Sequence, residues 1–229
     1  PLDLSDLATN PEGKIRALGV RSAQAKQLSS ILAAVVTDDH VTVVNQPGWT
    51  GSSYVMPSGD VIGDDAVHMT AKALKGYEAG GTLEGANDLM ASIQGQSRLM
   101  LTTMQSLAAP IAARLGVQMG GLNLYGPSSI GKTSALKVAV SVHGKGAGED
   151  HGGLVGSANT TGFAAERNAA ARNDSVVALD EIKTADPDVI ETILYVIPNG
   201  ASRQAGTSSG GLRDAVSWSV LTLVTGEMS

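Results

Sequence analysis

One octet constrains the fold of this chain more than any other feature. Residues 126–133 read Gly-Pro-Ser-Ser-Ile-Gly-Lys-Thr and satisfy the phosphate-binding pattern GxxxxGK[ST] at every defined position. The glycines permit a loop that wraps an anion, and the helix expected after the loop points its positive N-terminal end at the same place. In such a loop Lys132 reaches the β- and γ-phosphates and the Thr133 hydroxyl binds Mg²⁺. The octet therefore predicts a nucleotide site between a strand and a helix.

The residues on either side of the octet fit that junction. Residues 122–125 are a short strand-like run. Residues 134–142 carry apolar side chains at helical spacing, namely Leu136, Val138, Ala139 and Val142. Because the pattern has meaning only between a strand and a helix, this context favours a phosphate loop over a chance run of glycine, serine and lysine.

A second motif lies further along the chain. Residues 175–179 are an apolar run that ends in two adjacent carboxylates, Asp180 and Glu181, which is the Walker B form. A hard cation prefers oxygen ligands, so Asp180 is expected to hold the Mg²⁺ shell. Glu181 is expected to orient or deprotonate the attacking water. Two carboxylates at a strand end are by themselves more often merely solvated, but their pairing with the Lys132 loop favours the metal site.

Composition narrows the alternatives. The 229 residues are enough to bury a substantial core, and the absence of cysteine excludes disulfides and thiolate metal sites. The net charge of −6 lacks the basic footprint usual in DNA-binding domains, so charge does not imply nucleic acid. No apolar run reaches the ~20 residues needed to cross a bilayer, and the N-terminus does not resemble a signal peptide. We expect a soluble, cytoplasmic protein without a membrane partner.

The chain divides by pattern into two regions. Residues 1–80 are predicted to be a small α+β N-terminal region, in which two short strands surround a turn at residues 57–59. Its other predicted elements are helices at 14–18 and 22–36 and a strand at 41–44. Trp49 is interpreted as a packing anchor, with base stacking as the alternative. Residues 81–229 are predicted to hold a helical lead-in and then the phosphate-loop core.

The helical lead-in covers residues 82–115. Its second helix is expected to turn one apolar stripe towards the core, formed by Leu99, Met100, Met104, Leu107, Ala108, Ile111 and Leu115. The chain begins at a proline and ends just beyond a predicted strand, which suggests an excised domain.

Strands and helices alternate after the phosphate loop, which predicts parallel βαβ units. The expected strands cover residues 122–125, 154–158, 175–179 and 218–224, and the expected helices cover 133–142, 162–171 and 187–197. This fits a RecA-like or AAA+ core, an α/β fold with a mainly parallel sheet, in which the Walker B strand lies close to the P-loop strand. Thr225 follows the last strand, where such folds carry a residue that senses the γ-phosphate; a simple strand-end hydroxyl is the alternative.

A polar stretch at residues 203–213 has an arginine at each end, Arg203 and Arg213. An arginine there could act across a subunit boundary on the transferring phosphate, because its planar cation matches phosphate oxygens. A solvated surface loop and a DNA contact are the other interpretations.

Eight segments of the chain, taken together, resemble a known family. They are Pro47-Gly48-Trp49, Tyr54-Val55-Met56-Pro57, Ile62-Gly63, Gly81-Thr82-Leu83, the octet, Leu179-Asp180-Glu181-Ile182, Asn199-Gly200 and Thr225-Gly226-Glu227. In this order they resemble domain of unknown function 927, a family of P-loop ATPases of bacterial mobile elements and prophages. The family is described as a superfamily II helicase, an inactivated derivative or a primase–helicase. The resemblance covers nearly the whole chain.

The resemblance implies roles for the motif residues. The resemblance assigns nucleotide binding to Gly126, Pro127, Ser128, Ser129, Ile130, Gly131, Lys132 and Thr133. We add Ser134, the next residue, to this set. Metal and water roles fall to Asp180 and Glu181, with Thr133 as a further metal ligand, and a sensing role falls to Thr225. The aromatic residue expected soon after Gly81-Thr82-Leu83 is replaced by Gly85 and Ala86. The family's further C-terminal segment is also absent, which would place the lid, and with it a catalytic arginine, outside this chain.

These patterns favour one function and leave another open. The leading hypothesis is an Mg²⁺-dependent ATPase that converts hydrolysis into movement on DNA, as a helicase or a primase-associated motor in replication. The alternative is a nucleotide-dependent switch that binds a partner and has no motor role. A small-molecule kinase or GTPase is weaker, since the chain has no NKxD motif, and ATP itself is expected from the resemblance. RecA-like and AAA+ motors commonly form rings, so the full-length protein could be a ring of identical subunits, and a monomer is the alternative for the shorter chain.

Overall fold

The N-terminal region is built from short elements. The computed structural model of the chain describes residues 11–34, 41–63, 66–148, 151–202 and 215–227. Two helices come first, α1 (Pro11–Ala17) and α2 (Ser22–Ala34). The strands are β1 (Thr42–Val44), β2 (Gly48–Thr50), β3 (Ser53–Val55), β4 (Val61–Ile62) and β5 (Val67–Met69). β2, β3 and β4 form an antiparallel sheet, and β1 pairs in parallel with β5. The predicted hairpin around residues 57–59 is therefore present, whereas sequence patterns missed β2 and β5.

Two longer helices lead into the core, α3 (Leu83–Ser92) and α4 (Ser97–Arg114). The Thr82 hydroxyl caps α3 by accepting a hydrogen bond from the Gly85 amide at 3.0 Å, which satisfies a donor that the first helical turn leaves unpaired. α4 runs without a break through Pro110. The helical lead-in predicted for residues 82–115 is thus confirmed.

The core alternates strands and helices as predicted. Its elements in chain order are β6 (Gly121–Gly126), α5 (Lys132–Val140), β7 (Val155–Ser157), α6 (Gly162–Ala170), β8 (Ser175–Asp180), α7 (Pro187–Glu191), α8 (Ile197–Asn199) and β9 (Val220–Glu227). A 3₁₀ turn (Ile182–Thr184) follows β8, and a π-helical turn (Thr192–Val196) joins α7 to α8. β9 begins and ends later than the predicted strand at 218–224.

The four core strands form one parallel sheet in the order β6-β9-β8-β7. The phosphate-loop strand β6 therefore pairs with β9, and β9 separates it from the Walker B strand β8. The two motif strands are close, as predicted, but β9 lies between them. This order matters for the site because the end of β9 contacts both motifs.

Both faces of the sheet are covered, which is typical of parallel sheets. Side chains alternate along β8: Val177 and Leu179 pack with α6 and the helical segment 187–199, and Val176 and Ala178 pack with α5. The alternation follows from the period of two in a strand. Tyr77, from the segment before α3, is buried on the α5 face.

The predicted apolar stripe on α4 does not face the core, and this prediction was wrong. The buried residues of α4 are Thr102, Thr103, Ser106 and Ala109. The exposed apolar residues include Leu101, Met104, Leu107, Ile111 and, at the end of the helix, Leu115. The reason is the close packing of α4 against α5, since small side chains allow two helices to approach. Over the ranges that the structure covers, no helix is long and apolar enough to cross a membrane.

Candidate nucleotide-binding site

Three strand ends meet at one edge of the sheet. Because β6, β9 and β8 are parallel, their carboxyl ends lie on the same side, which is where open α/β sheets bind ligands. Gly126 pairs with Glu227, and Leu179 pairs with Val224. The register thus carries the phosphate loop, the Asp180 segment and the end of β9 to one place.

The phosphate loop takes the conformation that its residues allow. Gly131 has φ of 87° and stands just before α5, and Ser129 has φ of 62°. The Lys132 Nζ donates hydrogen bonds to the carbonyl oxygens of Gly126 at 3.0 Å and Pro127 at 2.5 Å. The lysine side chain therefore folds back over the loop at the N-terminal end of α5.

A cleft of about 390 Å³ lies beside the loop, a size within the range of small-molecule sites. Its lining residues are Ser128, Ser129, Gly131, Lys132, Thr133, Ser134, Asp180, Glu181, Thr225, Gly226 and Glu227. Most residues predicted from the two motifs are thus brought together. The other three are Gly126 and Pro127, which contribute their carbonyls to Lys132, and Ile130, whose side chain is exposed.

Thr225 connects the two carboxylate residues. Its side chain is buried, and its hydroxyl donates a hydrogen bond to Asp180 Oδ1. The Thr225 hydroxyl oxygen also accepts a hydrogen bond from the Glu181 amide at 2.9 Å. A hydroxyl has one hydrogen to donate, and Thr225 donates it to Asp180. In this arrangement Thr225 therefore acts on the site through Asp180 and Glu181.

Glu181 has a constrained backbone. Its φ and ψ are 59° and 54°, the left-handed conformation, which costs a non-glycine residue about 1 kcal/mol or more. Its carbonyl accepts hydrogen bonds from the Thr184 amide at 2.9 Å and the Thr184 hydroxyl at 2.8 Å. Hydrogen bonds to the Glu181 amide and to its carbonyl therefore stabilise this unfavourable backbone conformation. The exposed carboxylate is thus attached to a backbone that is held in place.

The structure adds charged residues that the sequence patterns did not single out. Glu227 lines the cleft, and its carboxylate forms an ion pair with the Lys183 ammonium. The hydrogen bond from Lys183 holds the pKa of Glu227 below its ordinary value, helped by the neighbouring Ser128 hydroxyl and by the charge of Lys132. The conspicuous Thr225-Gly226-Glu227 segment was the available signal, but the strand was predicted to end before it.

The oxygen ligands in the cleft suit Mg²⁺. Thr133 offers a hydroxyl and Asp180 a carboxylate, both on the wall of the cleft, and Mg²⁺ typically takes few protein ligands and completes its shell with water and phosphate oxygens. Across the part of the chain that the structure describes, no cluster of three or more His, Asp or Glu side chains offers an all-protein metal site. The residues present therefore fit a metal that arrives with a phosphate group.

Trp49 is not among the residues that line this cleft, and its ring is packed. Its indole nitrogen donates to the Pro110 carbonyl at 2.8 Å, the Arg114 guanidinium lies 5.0 Å from its ring centre, and the Tyr54 ring lies 5.2 Å away. These contacts support the packing interpretation over base stacking. Arg203 and Arg213 lie outside the described residues.

Comparisons with known proteins find one family and one solved structure that are similar to most of this chain. A family model described as "Domain of unknown function (DUF927)" matches residues 5–217. A solved structure titled "SCCmec type IV Cch - active helicase" superposes with a TM-score of 0.65 at 18% sequence identity. The superposition covers 98% of this chain and 44% of that chain, so this chain spans less than half of its structural relative. No curated protein matches. The likeness confirms the predicted RecA-like or AAA+ fold.

Proposed function

The chain belongs to the domain of unknown function 927 (DUF927) family, and from that premise we propose that it binds and hydrolyses ATP with Mg²⁺. We propose further that hydrolysis drives a helicase-like or primase-associated motor that acts on DNA. The observation that carries the proposal is the convergence of Lys132, Thr133, Asp180 and Glu181 on one cleft. A phosphate-binding loop and a metal-binding carboxylate are the two parts that phosphoryl transfer from a nucleotide requires.

Each residue has a defined task in this proposal. Lys132 and the first amides of α5 neutralise the charge of the phosphates. Thr133 and Asp180 would hold the Mg²⁺, which when bound withdraws charge from the β- and γ-phosphate oxygens. Glu181 orients the attacking water and accepts its proton. Thr225 fixes the relative position of Asp180 and Glu181 through the hydrogen bonds that it makes to both.

The DNA part of the proposal has separate support. The solved structure that shares the fold is titled an active helicase, and the family resemblance points the same way. Because this chain spans 44% of that chain, movement on DNA belongs to the proposal for the full-length protein, as do a ring of subunits and an arginine from a neighbouring subunit.

One observation favours the alternative, a nucleotide-dependent switch that binds a partner protein. α4 exposes a row of apolar side chains that includes Met104, Ile111 and Leu115. Surfaces of this kind commonly bind proteins, and the net charge of −6 opposes a strong electrostatic grip on DNA.

The rate of ATP hydrolysis, measured with and without single-stranded DNA, distinguishes the DNA motor from the nucleotide-dependent switch. We expect Glu181→Gln to lower kcat by about 10²-fold or more, the usual contribution of a general base, and to leave ATP binding in place. Lys132→Ala should weaken binding as well. Wild-type turnover in Lys132→Ala would contradict the assigned site. Several-fold stimulation by DNA supports the motor, whereas partner binding that depends on ATP and ignores DNA supports the switch.

A further inference from the structure

The end of β9 attaches to the Walker B segment at two points. Thr225 and Glu227 are two residues apart on one strand, so their side chains leave the same face. Thr225 bonds to Asp180 and to the Glu181 amide, and Glu227 pairs with Lys183 in the 3₁₀ turn. Between these two points lies Glu181, which orients the attacking water in the proposed hydrolysis.

Glu227 also touches the phosphate-loop side of the cleft. It pairs in register with Gly126, and it lines the cleft together with Ser128 and Lys132, whose hydroxyl and charge help to lower the pKa of Glu227. One carboxylate thus links the phosphate loop, β9 and the turn after Glu181. It is the third carboxylate on the cleft wall, after Asp180 and Glu181.

This position has two opposing electrostatic effects. A negative charge on the same cleft wall as Lys132 repels an incoming phosphate chain. The Lys183 cation offsets that repulsion, and the pair also ties the 3₁₀ turn to β9. Lys183 is 52% exposed and the Glu227 side chain 23% exposed, so solvent and salt weaken both effects but do not remove them.

We propose that Glu227 and Lys183 are a positioning pair for ATP hydrolysis, which holds the turn after Glu181 against β9 at the expense of nucleotide affinity. The inference rests on the proposed ATPase function and adds two residues to its site. Neither residue needs to touch the reacting atoms: the pair acts through Glu181, by keeping its backbone where Thr225 also holds it.

Substitutions at Glu227 and Lys183 should shift the affinity for ATP in opposite directions, and both should lower kcat. Glu227→Gln removes the negative charge with little change of shape, so ATP should bind about twofold to fivefold more tightly while kcat falls by a similar factor. Lys183→Met leaves the Glu227 charge unopposed, so ATP should bind about twofold to fivefold more weakly while kcat also falls. The double variant should return to nearly wild-type affinity and keep the low kcat.

The experiment measures kcat, KM and the equilibrium affinity for ATP and for ADP in the wild type and these variants. Lys183→Arg is the matched control, because it keeps the cation and should restore both affinity and turnover. The affinity differences should be smaller for ADP, which brings less negative charge, and should shrink between about 50 mM and 500 mM salt. Melting temperatures of all variants should stay close to the wild-type value, since the pair lies at the surface.

The outcomes distinguish the pair from the proposed function. A wild type that binds ATP without hydrolysing it would contradict the ATPase proposal. A wild type that hydrolyses ATP, with Glu227→Gln and Lys183→Met shifting affinity in the same direction or not at all, would overturn the positioning pair alone. Opposite shifts with lowered kcat in both variants would support it, because a merely structural contact does not tighten nucleotide binding when it is removed.

Discussion

At the scale of single residues, the site depends on a buried hydroxyl that bridges two adjacent residues. Thr225 donates to the Asp180 carboxylate and accepts from the Glu181 amide. A buried amide left without an acceptor costs about 1–3 kcal/mol, so the hydroxyl stabilises the left-handed backbone of Glu181 as well as orienting the metal-binding carboxylate.

Replacement of Thr225 by valine tests this bridge, because valine keeps the shape and removes the hydroxyl. We expect kcat to fall by about tenfold to 100-fold, since a misplaced catalytic group costs about that much. ATP affinity should change little, because Lys132 and the backbone amides of the phosphate loop are not altered. Thr225→Ser, which keeps the hydroxyl, is the control in the same ATPase assay. A valine variant with normal kcat would show that Asp180 and Glu181 hold their positions without Thr225.

At the scale of secondary-structure elements, one hydrogen bond explains how a proline is accommodated inside α4, near its C-terminal end. Pro110 has no amide hydrogen, so the Ser106 carbonyl one turn earlier loses its helical donor. His143, just after α5, donates from Nε2 to this carbonyl at 2.9 Å. The histidine therefore carries its proton on Nε2 and joins α4 to the segment that follows the phosphate-loop helix.

Stability should consequently fall in mild acid. Burial lowers the pKa of His143 below its ordinary 6.5, with the Ser106 carbonyl opposing the shift. The unfolded chain then binds the proton more readily, so this contribution to stability is full above about pH 6.5 and is lost as the pH falls towards the folded pKa. Urea unfolding at several pH values between 5 and 8 should show a steeper acid loss in the wild type than in His143→Gln, by up to ~1.4 kcal/mol per pH unit. Equal slopes would exclude His143 as the titrating group.

Local sequence patterns predicted much of the core and failed where long-range packing decides. The phosphate loop, β8 and the hairpin around residues 57–59 follow from spacing and turn residues. The buried face of α4 does not follow from these patterns, because apolar periodicity shows only which face is apolar. α5 packs instead against the face that carries small side chains. The position of β9 between the two motif strands depends on pairing between distant segments, so the bridge at Thr225 and the contact of Glu227 could not be read from the chain.

At the scale of the whole molecule, the N-terminal region is joined to the core by several specific contacts. Trp49 donates from its indole to Pro110 in α4 and from its amide to the Asp174 carboxylate at 2.8 Å. Asn173 donates to the Pro47 carbonyl at 3.0 Å, and the Lys145 amide donates to Gly76 at 2.7 Å. The predicted division of the chain at residue 80 therefore runs between parts that share buried contacts.

These contacts lead us to expect one cooperative unfolding transition for the wild type, since parts that bury surface against each other gain stability only together. Trp49→Ala removes a large ring and its indole donor, so the Tyr54 and Arg114 side chains that contact the ring lose packing. Stability should therefore fall by about 3 kcal/mol. The weakened junction should also split the transition, with the N-terminal region unfolding first.

Trp49→Phe is the matched control: it keeps a ring between Tyr54 and Arg114, loses only the indole donor, and should cost about 1 kcal/mol with a single transition preserved. Scanning calorimetry measures both effects, because the calorimetric and van't Hoff enthalpies agree only for a single transition. Two transitions in the wild type, with Trp49→Ala moving only the lower one, would instead mean that the regions before and after residue 80 are independent folding units.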